Sequence, residues 1–366
     1  MIISFSMGVF SRKSSTDEAV SFPPETESFL NDFKGRHSFD SVMDFLNALK
    51  NQKVLVIGDT IIDEYHYCKP LGMSAKENLI SVNYESEESF AGGAVATVSH
   101  VAGFVKEVGL FSLLGKDNSR EDFIRERLGN NVRPHFVYRD DGPTVTIRRY
   151  IEKIFLKKYF QLYFHNPFIP EALDKHIAQK LEPLLDEYKT VLVNDFGLGF
   201  LGTHAINVIC RKARFLAVNT QTNSSNRGFN FITKYPRMDY GCIDHVEIRL
   251  ATQNRHASIS DLVQEISRAV AARYFSVTMG HLGAITYDAE KKEVFEIPVF
   301  SQKVIDRVGA GDAFFSITAP LVAMGVPMDA VGFIGNTMGA IAVTIVGNER
   351  SIGRNELSRW MSTLLK

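Results

Sequence analysis

Short, uninterrupted apolar runs alternate with longer amphipathic segments through most of this chain, and that rhythm narrows its possible folds more than any other feature. Val54-Leu55-Val56-Ile57 offers no polar residue to solvent. A strand there has to be covered on both faces, the usual condition of a parallel strand inside an α/β sheet. Similar strand-like runs occupy 108–114, 191–193, 215–218 and 274–279. Helical spacing fills 39–49, 95–102, 120–128, 175–188, 203–213 and 260–273. This alternation predicts a mostly parallel sheet with helices packed over it. Two stretches break the rhythm. Residues 65–84 and 144–164 are rich in β-branched and aromatic side chains, and read as an antiparallel flap added to the main domain.

Composition sets outer limits. With 366 residues, 45% of them hydrophobic, the chain has material for a large core. A net charge of -1 supplies no global field for nucleic acid or an anionic membrane. Cys68, Cys210 and Cys242 are far apart and odd in number, which argues against a disulfide framework and for a reducing, cytoplasmic setting. The apolar stretch 317–346 is interrupted by Pro320, Pro327, Asp329 and Asn336. It reads as two core helices joined at Gly325-Val326-Pro327, not as a membrane span. The first ten residues are mildly apolar, but Arg12 and Lys13 follow them, the wrong order for a secretory leader. Residues 1–35 are expected to be a loose tail. Residues 36–366 then form one domain, with lid segments at about 65–90 and 135–165.

The chemistry concentrates in Asp306-Arg307-Val308-Gly309-Ala310-Gly311-Asp312, which runs into the apolar stretch 313–324. The first N–H groups of a helix lack internal partners and carry partial positive charge. Gly309, Ala310 and Gly311 leave those groups open to an anion. Asp312 stands at the same junction as a base. An anion cradle beside a base is minimal equipment for moving a phosphoryl group onto an alcohol. The plainer alternative is that Asp312 and the glycines simply open a helix.

Other segments add to this. Gly58-Asp59-Thr60-Ile61-Ile62-Asp63 sets two carboxylates beyond the first strand, and Asp63 is suited to grip two sugar hydroxyls. A solvated turn is the alternative. Gly92-Gly93-Ala94 reads either as a plain loop or as the opening of a helix where substrate can approach the backbone. Thr278-Met279-Gly280-His281-Leu282-Gly283 reads either as a nucleotide-phosphate loop or as a tight hairpin turn. Arg148, Arg149, Lys153, Lys157 and Lys158 alternate with Tyr150, Phe155, Tyr159 and Phe160. That mixture suits single-stranded nucleic acid, but the near-neutral charge favours a flap strand reaching toward an anionic substrate. Gly197-Leu198-Gly199-Phe200-Leu201-Gly202 fits a dinucleotide fingerprint and keeps an NAD-dependent reading open. The next strand ends in Val218-Asn219, however, without the acid that would hold the ribose.

Taken in order from Lys53 to Leu357, these segments resemble the phosphofructokinase-B or ribokinase family of ATP-dependent sugar kinases, most closely its heptose-7-phosphate kinase branch. The resemblance implies a ribokinase-like three-layer α/β/α sandwich with a mostly parallel sheet and a small β-strand lid. It implies ATP and Mg²⁺ as cofactors, with a monovalent cation as a further expectation, and a homodimer formed through the lid. Asp312 would be the base and Gly309, Ala310 and Gly311 the anion hole. Asp63, Asp59, Gly92, Gly93, Arg149 and Asp195 would meet the sugar. Asp244, Glu247, Thr278, Gly280, Gly283 and Asn336 would meet the nucleotide, with Glu247 near the metal. Departures from the family pattern fall on both the acceptor and the nucleotide side. Ala96 stands in place of Asn, Leu198 and Ile147 stand where heptose kinases carry Lys, and Asp244 replaces the Asn of Asn-x-x-Glu. A sugar-binding or nucleotide-binding protein without turnover is the alternative that these departures suggest.

Overall fold

The computed structural model describes residues 22–301 and 303–366. Helices α1 (Pro24–Arg36) and α2 (Phe39–Ala48) lead into β1 (Lys53–Gly58). A long hairpin follows, β2 (Thr60–Met73) and β3 (Ile80–Gly93), then α3 (Ala94–Ala102), β4 (Glu107–Gly115), α4 (Glu121–Arg125) and β5 (Val132–Arg139). A second hairpin, β6 (Thr146–Glu152) and β7 (Lys158–Phe164), precedes α5 (Glu171–Glu187), β8 (Thr190–Asp195), α6 (Thr203–Lys212) and β9 (Phe215–Thr220). The chain continues through β10 (Tyr240–Asp244), α7 (His245–Thr252), α8 (Ile259–Ala269), β11 (Tyr274–Thr278), β12 (Ala284–Asp288) and β13 (Glu293–Ile297). It closes with α9 (Ala310–Ala323), α10 (Met328–Ala342) and α11 (Arg354–Leu365).

Nine strands make the main sheet, in the order β13-β12-β11-β10-β9-β8-β1-β4-β5. The run from β11 to β5 is parallel, and β12 and β13 are antiparallel additions at one edge. Side chains alternate across the central strands, as a two-residue period requires. Val54 and Val56 join Phe314, Phe315 and Phe333 in the core under α9 and α10. Leu55 and Ile57 join Ile177, Leu181, Ile206 and Leu262 in the core under α5, α6 and α8. The apolar run 54–57 is therefore continuous because each of its faces has its own helical layer.

Strand order reverses at β1. The chain steps outward through β4 and β5, then returns to place β8 on the other side of β1. Such a switch point leaves a crevice at the carboxyl ends of the two strands, where ligands bind in open α/β sheets. Here those ends carry Gly58-Asp59 and Asn194-Asp195. Above them sits a separate four-stranded sheet, ordered β3-β2-β6-β7, with β2 and β6 parallel.

Several sequence expectations are corrected. The loose tail was expected to reach residue 35, yet α1 is helical from Pro24, with Leu30 and Phe33 buried. Phe33 stacks on Phe333 with ring centroids 4.4 Å apart, so aromatic packing outweighs the polar composition of that segment. The part of the expected tail before residue 22 lies outside the described residues. The second lid segment begins at Thr146 and not near 135, because 132–139 pairs with β4 as the edge strand of the main sheet. The helix expected over 120–128 is only the short α4. Residues 317–346 do form two helices, α9 and α10. Among the described residues no helix is long and apolar enough to cross a membrane.

Candidate active site

Helix α9 starts at the switch point, and its first turn is the centre of the site. Gly309 is its N-cap in the left-handed region (φ 82°), and no side chain caps the helix. A Cβ there would be strained and would press on Asn348 Oδ1. The space over Gly311 is open. Partial positive charge at this end therefore faces free volume.

Asp312 is the third residue of α9 and is buried. Asn194 Nδ2 donates to its Oδ1 at 3.1 Å, and Gln221 Nε2 donates to the same oxygen at 2.9 Å. The second oxygen stays available for a substrate proton. Burial pushes the carboxyl up to about 7, the nearby Asp63 charge adds to this, and the two amide donors act against it. A base poised near neutrality is well matched to proton abstraction from an alcohol. Sequence reasoning missed both amides as partners of Asp312. They lie at and just beyond the carboxyl ends of β8 and β9, the one positional signal that marks them.

Asp63 lies on lid strand β2 and is buried. Its Oδ1 accepts Arg149 Nη2 from β6 at 2.5 Å, and Arg149 Nη1 reaches Gln161 Oε1 at 2.8 Å. Burial raises the Asp63 carboxyl above its ordinary range, although Arg149 and Lys158 pull the other way. A Cβ on Gly92 would overlap Asp63 Oδ2. Gly92 thus makes room for the carboxylate itself. Arg149 Nε is buried and has no partner.

Asp59 and Asp195 stand between the strand ends and brace them. Asp195 accepts from Tyr235 Oη (2.5 Å), Lys234 Nζ (2.6 Å), Gly197 N (2.9 Å) and Asn230 Nδ2 (3.3 Å). Four donors fill the lone-pair positions of one carboxylate and leave none for a sugar. Asp59 accepts Phe196 N at 2.9 Å, and burial together with the Asp195 charge pushes it up to about 7. Gly93 ends β3 and caps α3 beside the Asp59 carbonyl.

On the nucleotide side, Asp244 and Glu247 form a capping box at the start of α7. Glu247 Oε2 accepts Asp244 N and its Oε1 accepts Thr222 N, each at 2.7 Å. Burial, and then Asp244, push Glu247 up to about 8. Thr278, Gly280 and Gly283 form the β11–β12 connection, a tight turn closed by Met279 N on Gly283 O at 2.8 Å. Asn336 donates to Pro298 O at 2.5 Å, so it fastens the segment leaving β13. Among the described residues no group of three or more His, Cys, Asp or Glu side chains is placed to hold a metal. The oxygen donors at hand are Glu247 and the unpartnered, buried Oδ1 atoms of Asn194 and Asn219, residues that are register partners on the neighbouring strands β8 and β9. Hard oxygens of this kind suit Mg²⁺, which keeps several waters and leans on substrate phosphates.

The departures noted in the sequence fall in separate places. Ile147 and Leu198 pack with Ile61, Val145 and Phe196 in one small apolar cluster under the lid. Ala96 and Asn348 line a cavity of about 440 Å³. The dinucleotide alternative fails on geometry. Asp174 accepts His204 N at 2.8 Å and Ala205 N at 3.1 Å, so a carboxylate already sits at the α6 terminus where a pyrophosphate would bind.

A lidded α/β/α sandwich with a buried acid at an uncapped helix start is the arrangement of a sugar kinase. Residues 51–352 match the family described as pfkB family carbohydrate kinase, and the chain belongs to that family. It is 26% identical over 321 residues to the bifunctional protein HldE of Shewanella amazonensis, covering 85% of this chain and 64% of that protein. It is 24% identical to the HldE protein of Pseudomonas fluorescens, again over 64% of that protein's length. The chain thus spans somewhat under two thirds of these relatives. Its fold matches a ribokinase from Thermotoga maritima with a TM-score of 0.67 at 16% identity, covering 85% of this chain and 99% of that one. It also matches phosphofructokinase-2 from Escherichia coli, solved with substrates and products, with a TM-score of 0.66 at 12% identity, covering 86% and 100%. The fold is therefore ribokinase-like.

Proposed function

We propose that this chain transfers the γ-phosphoryl of ATP to a hydroxyl of a sugar or sugar phosphate, with a heptose-phosphate-like acceptor favoured. One observation carries the reading: Asp312 is buried at the open start of α9, with one oxygen held by two amides and the other free. The free oxygen takes the hydroxyl proton as the new P–O bond forms and the bond from the γ-phosphorus to the bridging oxygen breaks, with ADP as the leaving group. The N–H groups of Gly311 and Asp312 stabilise charge that grows on the migrating phosphoryl. Asp63 orients the sugar, while Arg149 Nε supplies a buried donor for an anionic or hydroxyl oxygen. A bound Mg²⁺ would neutralise the phosphates, with Glu247 and the Asn194 and Asn219 oxygens as its protein-side candidates.

The apolar cluster of Ile147 and Leu198 removes cations that a sugar phosphate would use, so the acceptor panel has to include unphosphorylated sugars. A binding protein without turnover is a second reading, motivated by the Asp63–Arg149 ion pair, which occupies the sugar-facing carboxylate. ADP release measured over a panel of sugars and sugar phosphates, with Asp312→Asn as control, separates the two. No release with any acceptor would favour the binder. The lid also exposes Leu71, Met73, Ile80, Tyr84 and Phe160, a surface suited to pairing with the lid of a second copy. Light scattering of the purified chain tests that dimer. The family setting and the free thiols at Cys68, Cys210 and Cys242 support a cytoplasmic enzyme.

A further inference from the structure

Asp306 lies three residues before Gly309, outside the set of groups that would touch substrate, yet its carboxylate is buried and fully engaged. Tyr65 Oη, from lid strand β2, donates to Oδ2 at 2.8 Å. Lys158 Nζ, from lid strand β7, donates to Oδ1 at 3.1 Å and lies 5.7 Å from the Tyr65 ring centroid. From the body, Gly347 N donates to Oδ2 at 3.0 Å and Val308 N to Oδ1 at 3.3 Å. The backbone of the same segment is pinned to the end of α10 by Ile305 N and Asp306 N on Val343 O, at 2.7 and 3.2 Å. One carboxylate therefore joins two lid strands to the turn that presents Gly309.

We propose that Asp306 is a latch: a positioning residue through which the closed lid, by way of Lys158 and Tyr65, holds the 309–312 loop in its phosphate-binding shape. Of the body-side bonds, the one from Gly347 N stays in place, while the one from Val308 N belongs to the loop itself. The lid-side bonds come from two long side chains that leave when the lid lifts. Lifting removes the cation and two of the four donors and admits water, so only the Gly347 and Val308 N–H groups still fix the carboxylate and the turn loses half of its anchor. The nearest segment free to rearrange is 307–309. Burial acts to raise the Asp306 carboxyl, but Lys158 and its hydrogen bonds outweigh burial and keep it below the ordinary range. The ion pair is thus held in its charged form. This deepens the kinase reading and rests on it for one consequence: the phosphate site is complete only once the lid has closed over an acceptor, which spares ATP from water.

Hydrogen exchange of the whole chain, followed by mass spectrometry, tests the latch without any need for turnover. Lys158→Met is expected to speed exchange both in 158–164 and in 306–312, by about tenfold or more. Lys158→Arg, which keeps the charge, is expected to stay within about threefold of the parent. Faster exchange in the lid with 306–312 unchanged would overturn the proposal, and so would equal behaviour of the Met and Arg variants. Kinetics add a second arm. Lys158→Met should lower kcat about tenfold, leave the acceptor KM within about twofold, and raise the ratio of ATP hydrolysis to transfer. A change confined to acceptor KM would assign Lys158 to sugar binding and refute the latch. If the parent chain phosphorylates no sugar, the kinase reading fails while the exchange arm still decides the latch.

Discussion

Asp312→Asn should stop the chemistry while strengthening the fold. An amide oxygen at this position accepts from Asn194 and Gln221 as the carboxylate Oδ1 does. The other end of the side chain becomes a donor and takes no proton from a hydroxyl. General-base help is worth about 10²–10⁴-fold, so turnover at pH 8 should fall at least about a hundredfold. Stability moves the other way. The folded carboxyl is held at about 7 against an ordinary 3.8. A raised folded value means that the native state binds the proton more tightly than the unfolded chain does. The stability this confers is complete below about pH 4 and drains away as pH rises through 7. The ionised parent above pH 7 therefore carries a penalty of up to about 4 kcal/mol, which the neutral amide avoids. The variant should exceed the parent by about 1–4 kcal/mol at pH 8 and show little advantage at pH 4. Calorimetry at the two pH values, with an ADP-release assay at pH 8, checks both halves. Turnover within tenfold of the parent would remove Asp312 as the base. A lower Tm at pH 8 would refute the account of its burial.

The same carboxyl predicts that kcat/KM rises about tenfold per pH unit up to about 7 and then levels off. Asn194→Ala removes a donor that favours the charged form, so the acidic limb of that profile should move to higher pH; an unmoved limb contradicts the hydrogen bond. Gly311→Ala meets open space and should fold normally, yet its methyl group fills the room an anion needs. Its expected loss is about tenfold or more in kcat/KM for ATP with Tm unchanged. Gly92→Ala forces a Cβ onto Asp63, which should cost about 1–3 kcal/mol in chemical denaturation and weaken acceptor binding.

Most of the scaffold was legible because its signals are local. The run 54–57 announces a doubly covered strand, and the interrupted apolar stretch 317–346 announces two helices. The placement of Asp312 at an open helix start was legible because the acid and its two glycines are neighbours in sequence. What stayed hidden depends on distant partners. Asp195 reads as a free ligand until Lys234 and Tyr235 arrive from some forty residues away. Asp306 reads as part of a loop until two lid strands fold onto it. Asp244-x-x-Glu247 did carry a local signal, that of a capping box, and the structure gives those carboxylates that role. The helix α1 was missed because its polar composition hides Phe33, whose stacking partner Phe333 lies three hundred residues later.

The lid is assembled from two separate excursions of the chain, β2–β3 and β6–β7, stitched together by the parallel pairing of β2 with β6. Four crossings consequently tether it to the body, two from each excursion. A plate anchored at four points resists sliding and twisting, and its softest remaining motion is a tilt about the line through its anchors. Trimming either excursion would unseat the other, so changes in the shape of this cover have to be bought in matched pairs of segments.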